Sequence, residues 1–340
     1  MLRVKEVRAW REALAKQGHF IDDEVALTIA NFWDYNQGQL TLEGPPGGGK
    51  TQLALKIALA KNAPLYRLQC FKDLGKRQAL YDWDSNIQNV ITQTSIKNGQ
   101  VPDDINEIIY TQKAMVSGQL IRVLLDPNPD KILLIDELDK IPQEQAFEAL
   151  LLEYLEENAI SVPETGERIV SASGKPPHTI ITSNAGNGGL VASLSQPVLR
   201  RGAYLYVPEP SLSLRQVILE NNAPKLSNEF IRCCVLFTDQ LNRVVRFVKR
   251  IAISEIIMWV GKLQLADELH TIKELTEEII SLTMFELVKN IGDRKRALDA
   301  TKRVLAWIQS QKHKDLLQLD KELGYGVNDE EMAGGVGQAA

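Results

Sequence analysis

Leu42-Glu43-Gly44-Pro45-Pro46-Gly47-Gly48-Gly49-Lys50-Thr51 is the stretch from which the architecture of this 340-residue chain is read. Residues 39–42 before it end a short apolar strand, and residues 52–60 after it form a helical pattern with Leu53, Ile57 and Ala60 on one face. The spacing satisfies G-x-x-x-x-G-K-[S/T], in which glycines let backbone N–H groups close around phosphate oxygens without side chains intervening. The following helix points the positive end of its dipole at the same anion. On this reading Gly44, Pro45, Pro46, Gly47, Gly48, Gly49, Lys50, Thr51 and Gln52 form a nucleotide-phosphate site. Lys50 reaches the β- and γ-phosphates, and the Thr51 hydroxyl ligates Mg²⁺. A Gly/Pro-rich turn that binds nothing would not require a strand before it, a helix after it and Lys-Thr in register.

Four apolar residues ending in two acids give the second signal, Lys131-Ile132-Leu133-Leu134-Ile135-Asp136-Glu137. Such a run describes a strand buried on both faces of a parallel sheet, with carboxylates at its carboxyl end, where the phosphate loop also opens. Asp136 is then placed to hold Mg²⁺ through water, and Glu137 to accept a proton from a water attacking the γ-phosphate. A third buried strand, 179–184, ends at Asn184, which is either a turn former or a hydrogen-bond donor to that water or phosphate.

Composition admits two ordinary soluble domains: 44% of residues are hydrophobic and 24% charged. A formal net charge of -5 argues against bulk attraction to nucleic acid or an anionic membrane. No uncharged apolar run is long enough to span a bilayer, and charges at Arg3, Lys5, Glu6, Arg8, Arg11 and Glu12 leave no signal-peptide core near the start. Cys70, Cys233 and Cys234 have no metal-ligand spacing, so the expected setting is the reducing cytoplasm.

Around these signals, residues 1–18 read as an amphipathic helix bearing Val4, Val7 and Leu14, and 23–33 as a second helix. Ile21, just before that helix, is a candidate adenine contact or a plain core residue. A strand at 64–70 precedes a long mixed segment, 71–129, with a helix expected over 111–125. A helix at 143–156 and a hairpin over 159–170 follow, and 203–207 is the last strand. Pro208 and Pro210 mark a boundary, beyond which only helical periodicity remains, at 212–221, 227–237, 239–264, 271–288 and 294–311. Arg243, Arg246, Lys249 and Arg250 recur at helical spacing, as an interface or nucleic-acid stripe or as a solvated face.

The ordered set of the 44–51 loop, Asp136-Glu137, Asn184 and Arg200-Arg201, followed by helices, resembles the AAA+ ATPases. Within them, residues 21–262 resemble the MoxR family through Arg67-Leu68-Gln69-Cys70, Ala79-Leu80-Tyr81-Asp82-Trp83, Val162-Pro163-Glu164 and Thr182-Ser183-Asn184. These are similar to the branch that accompanies maturation of carbon monoxide dehydrogenase. The resemblance implies a P-loop AAA+ α/β domain, a parallel sheet flanked by helices over 21–208, and a smaller α-helical lid over 209–316. An N-terminal helix, 1–20, and a mobile tail, 317–340, complete the expected layout. It further implies ATP and Mg²⁺ at the interfaces of a homo-hexameric ring, a protein client, and a partner carrying a von Willebrand factor A domain. By the same resemblance Asn184 takes the sensor-1 place, and Arg200 or Arg201 acts as arginine finger toward a neighbouring subunit. Where the family often has a sensor-2 arginine this chain has Ser254, with Arg250 one turn earlier. That departure motivates the alternative of a nucleotide-gated assembly scaffold; for a DNA-loading machine the sequence offers no recognisable DNA-binding domain.

Overall fold

A computed structural model describes residues 3–34, 38–72, 74, 79–98, 109–111, 113–141, 145–184, 202–266 and 274–325. The chain divides into two compact units, residues 1–207 and 208–340.

In the first unit, short apolar runs become parallel strands because both of their faces find cover. Strands β1 (Gln39–Gly44), β2 (Leu65–Gln69), β5 (Ile132–Asp136), β8 (His178–Asn184) and β9 (Ala203–Tyr206) form one sheet in the order β2-β5-β8-β1-β9, every pairing parallel. Side chains alternate across it. Leu133 and Ile135 join one core with Leu120, Ile121, Leu124 and Tyr154. Ile132 and Leu134 join the other with Trp10, Leu14, Phe32 and Ile57, from helices α1 (Val4–Ala15), α2 (Asp23–Asp34) and α3 (Lys50–Lys61). The buried face of α1 is Trp10 and Leu14, whereas Val4, expected on that face, is 69% exposed.

The long connection after β2 contains structure the periodicity did not announce. Tyr81–Trp83 (β3) pairs antiparallel with Met115–Ser117 (β4), and helix α4 (Ser85–Lys97) lies between them. The helix expected over 111–125 therefore shortens to α5, Gln119–Leu125, behind Gly118. A Cβ on Gly118 would stand 2.6 Å from the carbonyl oxygens of both Ala79 and Leu80, so the crossing requires glycine. Helix α6 (Gln145–Glu157) and the antiparallel pair β6 (Ala159–Val162) and β7 (Glu167–Val170) complete this unit.

The second unit is helical: α7 (Leu212–Asn222), α8 (Asn228–Val244), α9 (Ile253–Ala266), α10 (Glu277–Leu287), α11 (Ile291–Ser310) and α12 (Leu316–Glu322) surround a core that includes Phe230, Phe237, Trp259 and Met284. Where the sequence suggested a break before Asp239, α8 continues, because that carboxylate is paired within the unit to Arg215 and Arg243. The chain instead turns after Val244, where Asn242 bonds both the N–H and the carbonyl of Ile251. Helix α12 lies in the stretch expected to be a tail. Asp320 on it accepts hydrogen bonds from the backbone N–H groups of Leu212 and Ser213, capping α7 from 108 residues away. Tyr325 then bonds Asp239 and accepts from Arg215.

Candidate nucleotide-binding and catalytic site

Registry brings the polar strand ends to one edge. Gly44 of β1 is opposite Asn184 of β8, and Gln69 of β2 is opposite Asp136 of β5. The phosphate loop leaves β1 through Gly44, where a Cβ would sit 2.1 Å from the Val207 carbonyl oxygen, so the close backbone approach excludes any side chain. Gly49 caps α3 without a side-chain acceptor, leaving the first amides of that helix for a ligand.

Lys50, buried with 6% of its surface exposed, extends back over the loop. Its Nζ donates to the carbonyl oxygens of Gly44 at 2.9 Å and Pro45 at 2.8 Å, and to Asn184 Oδ1 at 3.2 Å. Burial pushes its pKa below the ordinary value, while Asp139, Asp136, Glu137 and Glu43 pull the other way. Thr51 Oγ1 donates to Asp136 Oδ1 at 2.8 Å. Asp136, fully buried at the end of β5, also accepts from Thr182 Oγ1 at 2.5 Å and from Arg67 Nε at 3.0 Å.

Glu137 stands at φ 59°, a left-handed conformation uncommon for glutamate, at the turn out of β5. Its N–H donates to Thr182 Oγ1, and its carboxylate accepts from Gln69 Nε2 and Lys140 Nζ, each at 2.6 Å. Asn184 connects the two halves of the site: its N–H and Nδ2 donate to Asp139, while its Oδ1 receives Lys50. The structure thus brings Lys50, Thr51, Asp136, Glu137 and Asn184 together.

Among the other expected residues, Pro45, Gly48 and Gly49 are half-buried in the loop, and Pro46, Gly47 and Gln52 are exposed. Ile21 is half-buried against the core beneath β1. Arg200 and Arg201 lie outside the described residues.

Sequence reasoning missed Arg67, Gln69, Asp139, Thr182 and His19. The period-two spacing of Arg67 and Gln69 on β2 was a usable signal, but only strand order reveals that they face Asp136 and Glu137. His19 Cε1 lies 3.9 Å from where a Gly49 Cβ would be, and burial, assisted by Lys56, lowers its pKa to about 4. Cys70, next along from Gln69, is buried and its thiol is pushed up to about 12, chiefly by burial and then by Asp136, Asp139 and Glu137. A buried thiol held protonated in this way makes a poor nucleophile.

A hard cation fits the oxygen set of Thr51 and Asp136, and among the described residues no group of three or more His, Cys, Asp or Glu side chains would hold a metal alone. Two oxygen donors of this kind are what Mg²⁺ would need from a protein if phosphate oxygens and waters completed its shell. Among the described residues no helix is long and apolar enough to cross a membrane.

Residues 39–202 match the family model of the AAA domain (dynein-related subfamily). No curated protein matches the chain. With the five-stranded parallel sheet, the phosphate loop at the end of β1 and the acidic end of β5, this match identifies residues 39–202 as an AAA+ nucleotide-binding domain, followed in the chain by a helical unit.

Proposed function

We propose that the protein is a MoxR-like AAA+ ATPase that binds and hydrolyses ATP at the subunit interfaces of a homo-hexameric ring to remodel or mature a protein client. The observation that carries this reading is the convergence of Lys50, Thr51, Asp136, Glu137 and Asn184 at one sheet edge. In this reading the ammonium of Lys50 exchanges its carbonyl partners for phosphate oxygens, a charge-assisted contact. Thr51 and Asp136 would hold Mg²⁺, which when bound would neutralise phosphate charge. Glu137 takes the proton of the attacking water, and Asn184 orients that water or the γ-phosphate. Arg200 or Arg201 supplies a guanidinium from the neighbouring subunit to the charge that spreads over the γ-phosphate oxygens in the transition state. The α/β ATPase domain is assigned to 21–208 and the lid to the helical unit from 209 onward, α12 included. The wider assembly includes a von Willebrand factor A domain partner and a client of the kind served by the carbon monoxide dehydrogenase branch, in the cytoplasm.

Subunit mixing tests this. Glu137→Gln should bind ATP and stop turnover, and the Arg200→Ala/Arg201→Ala double variant should bind ATP and turn over weakly. Mixed together, the two should recover activity, because one interface type joins an intact base to an intact finger. With exchange verified on tagged wild-type subunits, no recovery at any ratio removes the finger from the mechanism. A wild-type monomer at full rate removes the ring.

A second reading, a nucleotide-gated scaffold with little turnover, is favoured by the hold of Gln69 and Lys140 on the Glu137 carboxylate and by exposed Ser254 in the sensor-2 place. Arg250, the substitute one turn earlier, is ion-paired to Glu209 at 3.6 Å. Steady-state hydrolysis that stays negligible with and without the partner would favour the scaffold.

A further inference from the structure

Arg67 has no part in the mechanism proposed above, yet it is ion-paired to Asp136, a fully buried carboxylate of the site. Its Nε and Nη2 both donate to Asp136 Oδ2, at 3.0 and 2.5 Å. The two partners differ sharply in exposure: the Asp136 side chain is 1% exposed and that of Arg67 46%. Asp136 Oδ1, the other oxygen, is taken by the hydroxyls of Thr51 and Thr182. A buried carboxylate needs a countercharge, and here that charge is carried on a long side chain whose far side is in water.

We infer that Arg67 is a placeholder for the metal: its guanidinium neutralises Asp136 while no cation is bound and leaves when Mg²⁺ arrives, so that the two compete for one carboxylate. The exchange makes and breaks no covalent bond. Because the half-exposed guanidinium is already partly hydrated, its departure costs less than displacing a buried cation. Departure also frees Gln69. Arg67 Nη2 donates to Gln69 Oε1 at 2.5 Å, and Gln69 Nε2 donates to Glu137 Oε2 at 2.6 Å. Metal entry at Asp136 therefore loosens the side chain that restrains Glu137. Arg67 is on this account a positioning residue, acting through Asp136 and Gln69.

The inference rests on the ATPase reading, and the test separates the two. Mg²⁺ is titrated by calorimetry into wild type and Arg67→Gln, each saturated with a non-hydrolysable ATP analogue. Removing the competitor should tighten Mg²⁺ binding roughly tenfold, about the low end for one charged hydrogen bond because the guanidinium is half in water, while the metal-free variant melts at a lower temperature than wild type. A scaffold that merely holds Asp136 in shape would do the opposite and weaken Mg²⁺ binding on removal. Unchanged or weaker binding in Arg67→Gln overturns the inference. If that variant does not fold, Arg67→Lys, which keeps the charge but loses the two-point contact, should still tighten Mg²⁺ binding by a smaller factor, and unchanged affinity there overturns it equally. A wild-type chain that binds no analogue at any Mg²⁺ concentration sinks the ATPase reading and the placeholder with it. Normal nucleotide binding with an unaltered metal affinity in the variant sinks only the placeholder.

Discussion

Strand β5 has a buried charge beside each of its ends, and the two are built differently. At the amino end, Lys131 is fully buried, with its ammonium on the Asp126 carbonyl oxygen at 2.5 Å and Ser173 Oγ at 3.1 Å. Burial lowers its pKa, with Asp126 pulling the other way. At the carboxyl end, Asp136 is just as buried, but its partners come from three separate segments and one of them, Arg67, is half in water. Buried charge by itself therefore does not mark a site. A charge satisfied by nearby fixed groups fastens the fold, whereas one held by an exchangeable partner leaves room for a ligand.

That contrast predicts separable defects. The largest belongs to the carboxyl end: Lys50→Ala should weaken ATP-analogue binding by roughly 100-fold or more, as expected for loss of a buried charged contact. Equal affinity for wild type and variant would show that the loop of residues 44–51 is not the phosphate site. At the amino end, Lys131→Met should destabilise the first unit by about 1–3 kcal/mol, because the Asp126 carbonyl and Ser173 lose a donor, while leaving nucleotide affinity intact. A folded Lys131→Met chain with tenfold weaker binding would erase the distinction between the two ends.

The smallest effect comes from His19, beside the loop. Its folded pKa of about 4 lies below its ordinary value of 6.5, so between those values the unfolded chain binds more protons than the folded one. Stability should fall as pH drops from about 6.5 toward 4. Denaturant curves of wild type and His19→Gln across that window should differ in slope, and parallel curves would remove His19 as the cause.

The loop and the acidic strand end were legible in sequence because their constraints are local: glycine where backbone approaches backbone, four apolar residues where two faces are buried. The five parallel strands followed from the same patterns. Arg67, Gln69 and Asp139 were not legible as site residues, since nothing near them in sequence states that β2 lies beside β5 or that Asn184 reaches across to the turn after Glu137. The pairing of β3 with β4 was hidden for a related reason: Met115–Ser117 is three residues long and reads as helix unless Gly118 is known to press on Ala79 and Leu80. In the second unit, Asp239 looked like a helix start because aspartate caps helices, and only its buried arginine partners explain why α8 runs through it.

The cap that Asp320 places on α7 also orders events during synthesis. A nascent chain that has just completed α7 has no acceptor for the Leu212 and Ser213 amides until a further hundred or so residues have been added, and Tyr325 reaches Arg215 and Asp239 later still. Among the described residues the first unit draws no strand from beyond Tyr206, so its sheet can close while the ribosome is still working. The helical unit is instead sealed from its last-made end, so a messenger truncated before codon 320 would yield a finished sheet attached to an open bundle.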